Sequence, residues 1–118
     1  MPRITTCGGP QSATEFSYEG SVQTGSVITF EKAPKVSLTA DFFQAIITEF
    51  RGRSIRGGFN MDDPPPDGFG KWVQDNSARL NNQSLTPRHA SFIAAILRHE
   101  KYLNCRLEGN AVILDFKP

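Results

Sequence analysis

Residues 86–116 read TPRHASFIAAILRHEKYLNCRLEGNAVILDF, and within them the apolar period changes from 3.6 to 2. The first half is a helix with a well-marked start. Thr86 can act as N-cap, its side-chain oxygen taking a free backbone N–H, and Pro87 stands at N1, where a missing donor costs nothing. Ala90, Phe92, Ile93, Ala94, Ile96 and Leu97 then recur at helical spacing, which predicts a helix over 87–101. Past Tyr102 the residues alternate. NCRLE and AVILDF flank Gly109-Asn110, a dipeptide suited to the positive φ of a two-residue hairpin turn. Setting Glu108 opposite Ala111 brings Leu107 to Val112 and Cys105 to Leu114. With Phe116 these make one apolar face, while Arg106 meets Ile113 on the other.

Working back from this stretch, Ser37-Leu38-Thr39 offers N-caps for TADFFQAIITEF, where Ala40, Phe43, Ile47 and Phe42, Ile46, Phe50 follow the i, i+3/i+4 rule; a helix over roughly 39–51 is predicted. RGRSIRGG follows as a short extended piece around Ile55. The three prolines of FNMDDPPPDGFG exclude a helix there. Asp67 is the expected cap of a further helix, GFGKWVQDNSARL, with Phe69, Trp72, Val73 and Leu80 inward and Gly68 and Gly70 weakening its first turn. NNQSL is a polar connection to Thr86.

Ahead of all this, residues 1–13 are small, polar and punctuated by Gly and Pro, which predicts a mobile, removable start. EFSYEGSVQTGSVITFE reads as a loose β-hairpin whose Phe16, Tyr18, Ile28 and Phe30 need cover, from the main domain or from a second copy of the chain. The expected class is therefore α+β, with an N-terminal arm and hairpin over 1–36 and a domain of three helices, a short strand and a C-terminal hairpin over 37–118. Phe43, Ile47, Trp72, Phe92, Ile96, Leu107, Val112 and Leu114 are its expected core.

The 118 residues suit one core, and the net charge of +1 gives no global field toward nucleic acid or membrane. Charge is nonetheless uneven, with three basic against five acidic residues in 1–50 and ten against seven in 51–118. An anionic partner would meet the C-terminal part. Cys7 and Cys105 fall in no metal-ligand or redox spacing. Nothing is long and apolar enough for a membrane span. Two free thiols in a cytoplasmic protein, with no membrane partner, are predicted.

The order helix, short strand, helix, helix, strand, tight turn, strand over residues 39–116 resembles a winged helix-turn-helix domain. The resemblance implies that the strand around residues 53–56 closes a sheet with the C-terminal hairpin, that the second and third helices form the helix-turn-helix, and that the hairpin tip is the wing. Three features depart from that pattern: a connection between those helices longer than the usual three or four residues, an acidic tip at Glu108-Gly109-Asn110, and the proline-rich insertion.

On a helical wheel the third helix carries Arg88, Ser91, Ala95, Arg98, His99 and Tyr102 opposite its apolar arc, with no acid among them. Arg, Ser and Tyr on such a strip suit phosphates and base edges, and Ala95 would permit close approach. Arg51, Arg53 and Arg56 form a second basic group that could hold phosphates beside it, or simply keep an edge strand soluble. The expected partner is duplex DNA, read by the helix at 87–101, with a protein–protein interaction module on the same fold as the alternative and a homodimer compatible with either. No cofactor or metal is expected. His89 and His99 do not share a helix face, Asp62, Asp63 and Asp67 lack converging ligands, and Gly68-Phe69-Gly70 lacks the strand context of a phosphate loop. The sequence thus points away from an enzyme.

Overall fold

A computed structural model describes residues 3–7, 14–30, 34–59, 61, 65–109 and 111–118. Four strands come first: β1 (Arg3–Thr5), β2 (Glu15–Ser21), β3 (Gly25–Thr29) and β4 (Val36–Leu38). Then follow α1 (Ala40–Phe50), β5 (Ser54–Arg56), α2 (Phe69–Asn81), α3 (Pro87–His99), β6 (Leu103–Glu108) and β7 (Ala111–Phe116). The class is α+β, with two antiparallel sheets, β1-β2-β3-β4 and β5-β7-β6.

Each helix begins for a local reason. Thr39 accepts a hydrogen bond from the Phe42 amide (3.0 Å) at the start of α1. Thr86 accepts from the His89 amide (3.3 Å), and His89 Nδ1 accepts in return from the Thr86 amide (3.1 Å), a reciprocal capping box ahead of Pro87. The start of α2 differs from expectation. Its N-cap is Gly68, with no side-chain cap, and Asp67 plays no such part. Backbone takes over instead: the Gly70 amide donates to the Gly57 carbonyl (2.8 Å). A Cβ on Gly70 would run into the Gly58 carbonyl oxygen, so the glycine that weakens the helix is what lets the chain after β5 lie against it.

The C-terminal hairpin has the register expected from the sequence, Glu108 opposite Ala111 and Cys105 opposite Leu114, with Gly109 at φ 61°. Its apolar face is shorter than expected. Leu103, Leu114 and Phe116 are buried, but Leu107 near the tip is 51% exposed and Val112 half-buried. Leu107 was expected in the core; near the hairpin tip it is left exposed. Trp72 is also only half-buried, stacked on Phe42 and edge-on to Phe50. Phe50 is the hub between α1, α2 and the sheet, meeting Phe69, Trp72 and Phe116 at ring-centroid distances of 5.8, 5.4 and 5.4 Å.

Where the sequence suggests a two-stranded arm, the structure has the four-stranded sheet, and it lies on α3. Phe16, Tyr18, Val22 and Ile28 are buried in the same apolar cluster as the helices. Phe92 of α3 receives the edges of Phe16 and Phe30, with centroids 5.0 and 4.9 Å apart. The apolar residues that invited self-association are therefore covered by their own chain.

Residues 3–7 likewise correct the expectation of a removable start. They form β1 and continue to Cys7, which is 4% exposed and bonded to Cys105 of β6. The expectation of two free thiols is thus overturned. The cysteines stand 98 residues apart in sequence, and only the passage of β1 over α3 toward β6 brings their Cα atoms to 6.1 Å.

Two stability tests follow. Gly70→Ala should destabilise by about 1–3 kcal/mol in urea unfolding, although alanine favours helix, because overpacking outweighs propensity. An unchanged midpoint would mean that the Gly58 carbonyl moves aside at no cost. Replacing both cysteines by serine should lower stability by about 2–5 kcal/mol, as the bond closes nearly the whole chain into a loop; a melt indifferent to that change, or to a reducing agent, would show the bond to be idle.

Candidate binding cleft

At the N-terminal end of α3 the two sheets and the segment after β5 leave a cleft of about 820 Å³. Arg88 and Ser91 line it from the first turns of α3, and Arg56 from the end of β5. Gly58, Phe59 and Pro65 form the wall between β5 and α2, while Ala111, Val112 and Glu108 contribute the tip of the C-terminal hairpin. The opposite wall is Thr6, Cys7 and Thr14, tied together by Thr6 N–H to the Thr14 carbonyl and Thr14 N–H to Thr6 Oγ1, both 2.9 Å. Phe92 closes the floor.

The eight sequence-predicted site residues do not stay together. Arg56, Arg88 and Ser91 share the cleft. Arg98, His99 and Tyr102 lie at the other end of α3, about 15 Å away at 1.5 Å per residue. Between the two groups Ala95 is fully buried and β1 packs on the helix. Arg98 donates from Nη2 to the Thr5 carbonyl (2.6 Å), so it serves to hold β1. His99 is exposed, with its ring edge-on to Tyr18, and Tyr102 is half-buried.

Arg51 is the exposed C-cap of α1. Arg53 bonds Glu49 (3.4 Å) and covers the Phe50 ring, its guanidinium carbon 5.3 Å from the centroid. On the solvent face of the smaller sheet, Asp115 accepts from Ser54 Oγ (2.6 Å) and Arg106 Nε (2.8 Å). Those bonds, Ser54 first, hold its carboxyl below the ordinary aspartate range.

The sequence reading missed Phe59, Pro65, Thr6 and Thr14 as cleft residues. The glycines at 57, 58, 68 and 70 are the sequence signal for a close approach of backbones there, but Thr6 and Thr14 carry none. Glu100 was also missed. Its carboxylate accepts from the Tyr18 hydroxyl (2.8 Å) and the Val22 amide (2.9 Å), clamping the end of α3 to the larger sheet. Burial, then the bond to Glu100 and its charge, raise the Tyr18 pKa above the ordinary tyrosine value.

His89 sits next to Arg88 but turns back into the capping box. Burial lowers its pKa from the ordinary 6.5. The unfolded chain therefore takes up a proton near pH 6.5 that the folded chain refuses. Stability is complete above that pH and declines as the pH falls toward the folded-state value. His89→Gln keeps an acceptor for the Thr86 amide and removes the titration, so its unfolding midpoint should stay flat where that of the parent declines. Parallel slopes below pH 6.5 would exclude His89 as the cause.

Among the described residues no group of three or more His, Cys, Asp or Glu could hold a metal ion, and no helix is long and apolar enough to cross a membrane. Comparison with protein families, with curated proteins and with solved structures finds no match to this chain.

Proposed function

We propose that this protein is a non-enzymatic interaction module that engages another protein through the cleft at the start of α3. The observation that carries this reading is the division of the polar strip on α3. One end places Arg88 at a cavity of ligand-binding size, which Arg56 of β5 also lines, while Ala95 and Arg98 are taken up by the chain's own β1. The described polar side chains of the cleft suit holding rather than reacting. Ser91 Oγ donates to the Arg88 carbonyl of its own helix (2.7 Å), with no base beside it among the described residues. A cytoplasmic setting was inferred from free thiols; with Cys7 bonded to Cys105, an oxidising compartment is the better supported one.

Duplex DNA is the second reading. The placement of β7 between β5 and β6, with α2 and α3 joined ahead of the hairpin, supports a winged-helix-like arrangement of residues 39–116. Arg88 stands at the end of α3 from which recognition helices reach base edges. For α3 to enter a major groove about 12 Å wide, however, the sheet over Ala95 and Arg98 would have to leave.

Two arginines separate these readings. For an interaction module, Arg98→Ala should cost about 1–2 kcal/mol of stability through the lost bond to Thr5 and leave partner binding intact. Arg88→Ala should do the reverse. A DNA reader would weaken on random duplex with either change and lose affinity steeply with salt. Measuring both variants by urea unfolding and by duplex binding at two salt concentrations decides. Salt-sensitive duplex binding by the parent that both variants lose would overturn the interaction-module reading.

A further inference from the structure

We infer that the ligand of this cleft is an extended acidic segment of a partner protein, its carboxylates held between Arg56 and Arg88 and its apolar side chains seated on Phe59 and Phe92. The inference rests on the cleft being the binding site and names what that site selects.

Charge is the first argument. Several exposed arginines of this chain are already engaged: Arg3 with Glu15, Arg53 with Glu49, and Arg106 with both Glu108 and Asp115. Arg56 and Arg88 are both exposed and make neither a salt bridge nor a side-chain hydrogen bond with a described residue. Among the described residues that line the cleft the one carboxylate, Glu108, is held by Arg106 on the hairpin. Its charge is thus answered from outside, and two arginines line the cleft from different elements, Arg88 from α3 and Arg56 from the end of β5, where it also borders the neighbouring cavity lined by Asp67 and Arg106. Each of the two can take a carboxylate through two parallel hydrogen bonds, a geometry that lysine does not offer.

Shape is the second argument. A duplex is convex and meets a protruding element, whereas this site is concave and about 820 Å³ in volume. It would admit a few side chains of a strand and exclude a helix of nucleic acid. Single-stranded nucleic acid would bring a phosphate at every step past Glu108, with two arginines among the described residues to answer it. A polypeptide can alternate instead, presenting a carboxylate to each arginine and an apolar side chain to the phenylalanine rings between them.

The experiment is selection of random displayed peptides on the immobilised full chain, followed by affinity measurement on three proteins. These are the parent, Arg56→Ala/Arg88→Ala, and Ser91→Trp, which fills the cleft from α3. Enriched peptides should carry Asp or Glu beside aromatic or branched residues. They should bind the double arginine variant at least about tenfold more weakly, and Ser91→Trp should abolish binding. Neutral or basic winners, or acidic winners that ignore both arginines, would overturn the inference while leaving the cleft as the site, provided Ser91→Trp still blocks them. Winners that bind Ser91→Trp as well as the parent, or no enrichment at all, would sink the reading of the cleft itself. Displacement of acidic winners by random duplex DNA in a salt-dependent manner would reassign the site to nucleic acid. Urea unfolding of each variant checks that loss of binding is not loss of fold.

Discussion

The structure depends on α3 being packed from more than one side. Ala90, Ile93, Ala94, Ala95, Ile96 and Leu97 are all fully buried, which a helix on the surface of a two-layer domain does not manage. Its alanines make this possible, since a small side chain lets a sheet approach the helix backbone on one flank while α2 packs on another. Two polar contacts then fix the larger sheet in place. Glu100 clamps Tyr18 and Val22 at the C-terminal end, and Arg98 holds the Thr5 carbonyl two residues earlier. The bond between Cys7 and Cys105 carries the same layer across to the hairpin.

Once α3 is covered along its middle, only its ends remain for work. The C-terminal end is given over to the clamp. The N-terminal end lies where the sheets diverge, beside the glycine-rich crossing of β5 and α2, and the cleft is the space that divergence leaves. Thr6 and Thr14 close it through their mutual hydrogen bonds, so the segment anchored by the disulfide is also a wall of the proposed site. Fold and site therefore share their supports: what holds β1 on α3 also shapes the cavity that Arg88 lines.

Much of this was legible in the residues and some was not, for identifiable reasons. Thr86, Pro87 and the period change after Tyr102 announced α3 and the hairpin register because caps and alternation are local. The layer over α3 was illegible because its cause is distributed. Phe16, Tyr18 and Ile28 showed that the N-terminal strands needed cover, yet nothing near them said from where. The cysteine pair, 98 residues apart, became visible only with that layer in place. Leu107 had the right parity for the core and the wrong position along the strand, a distinction that alternation cannot make. Of the residues singled out for a site, Arg56, Arg88 and Ser91 line one cleft, while Arg98 bonds its own chain.

That last difference bears on how polar strips on helices are read. Arg, Ser, Tyr and His along one face describe a solvent-facing or nucleic-acid-facing surface equally well as they describe a seam where a second layer docks through hydrogen bonds. Ala95 was the discriminating residue. A groove-reading helix and a helix under a sheet both need a small residue at the point of closest approach, but only the second needs polar partners facing it from within the chain. Glu100 supplies that test here. It falls outside the strip, and its absence from the strip suggested an anionic ligand. Yet it turns toward the sheet that covers the strip and satisfies a buried phenol and a backbone amide there. The acid-free character of α3 at its middle thus reflects the docking of β1 and β2. At Arg88, which forms no ion pair with a described residue, the same character is left open for a partner.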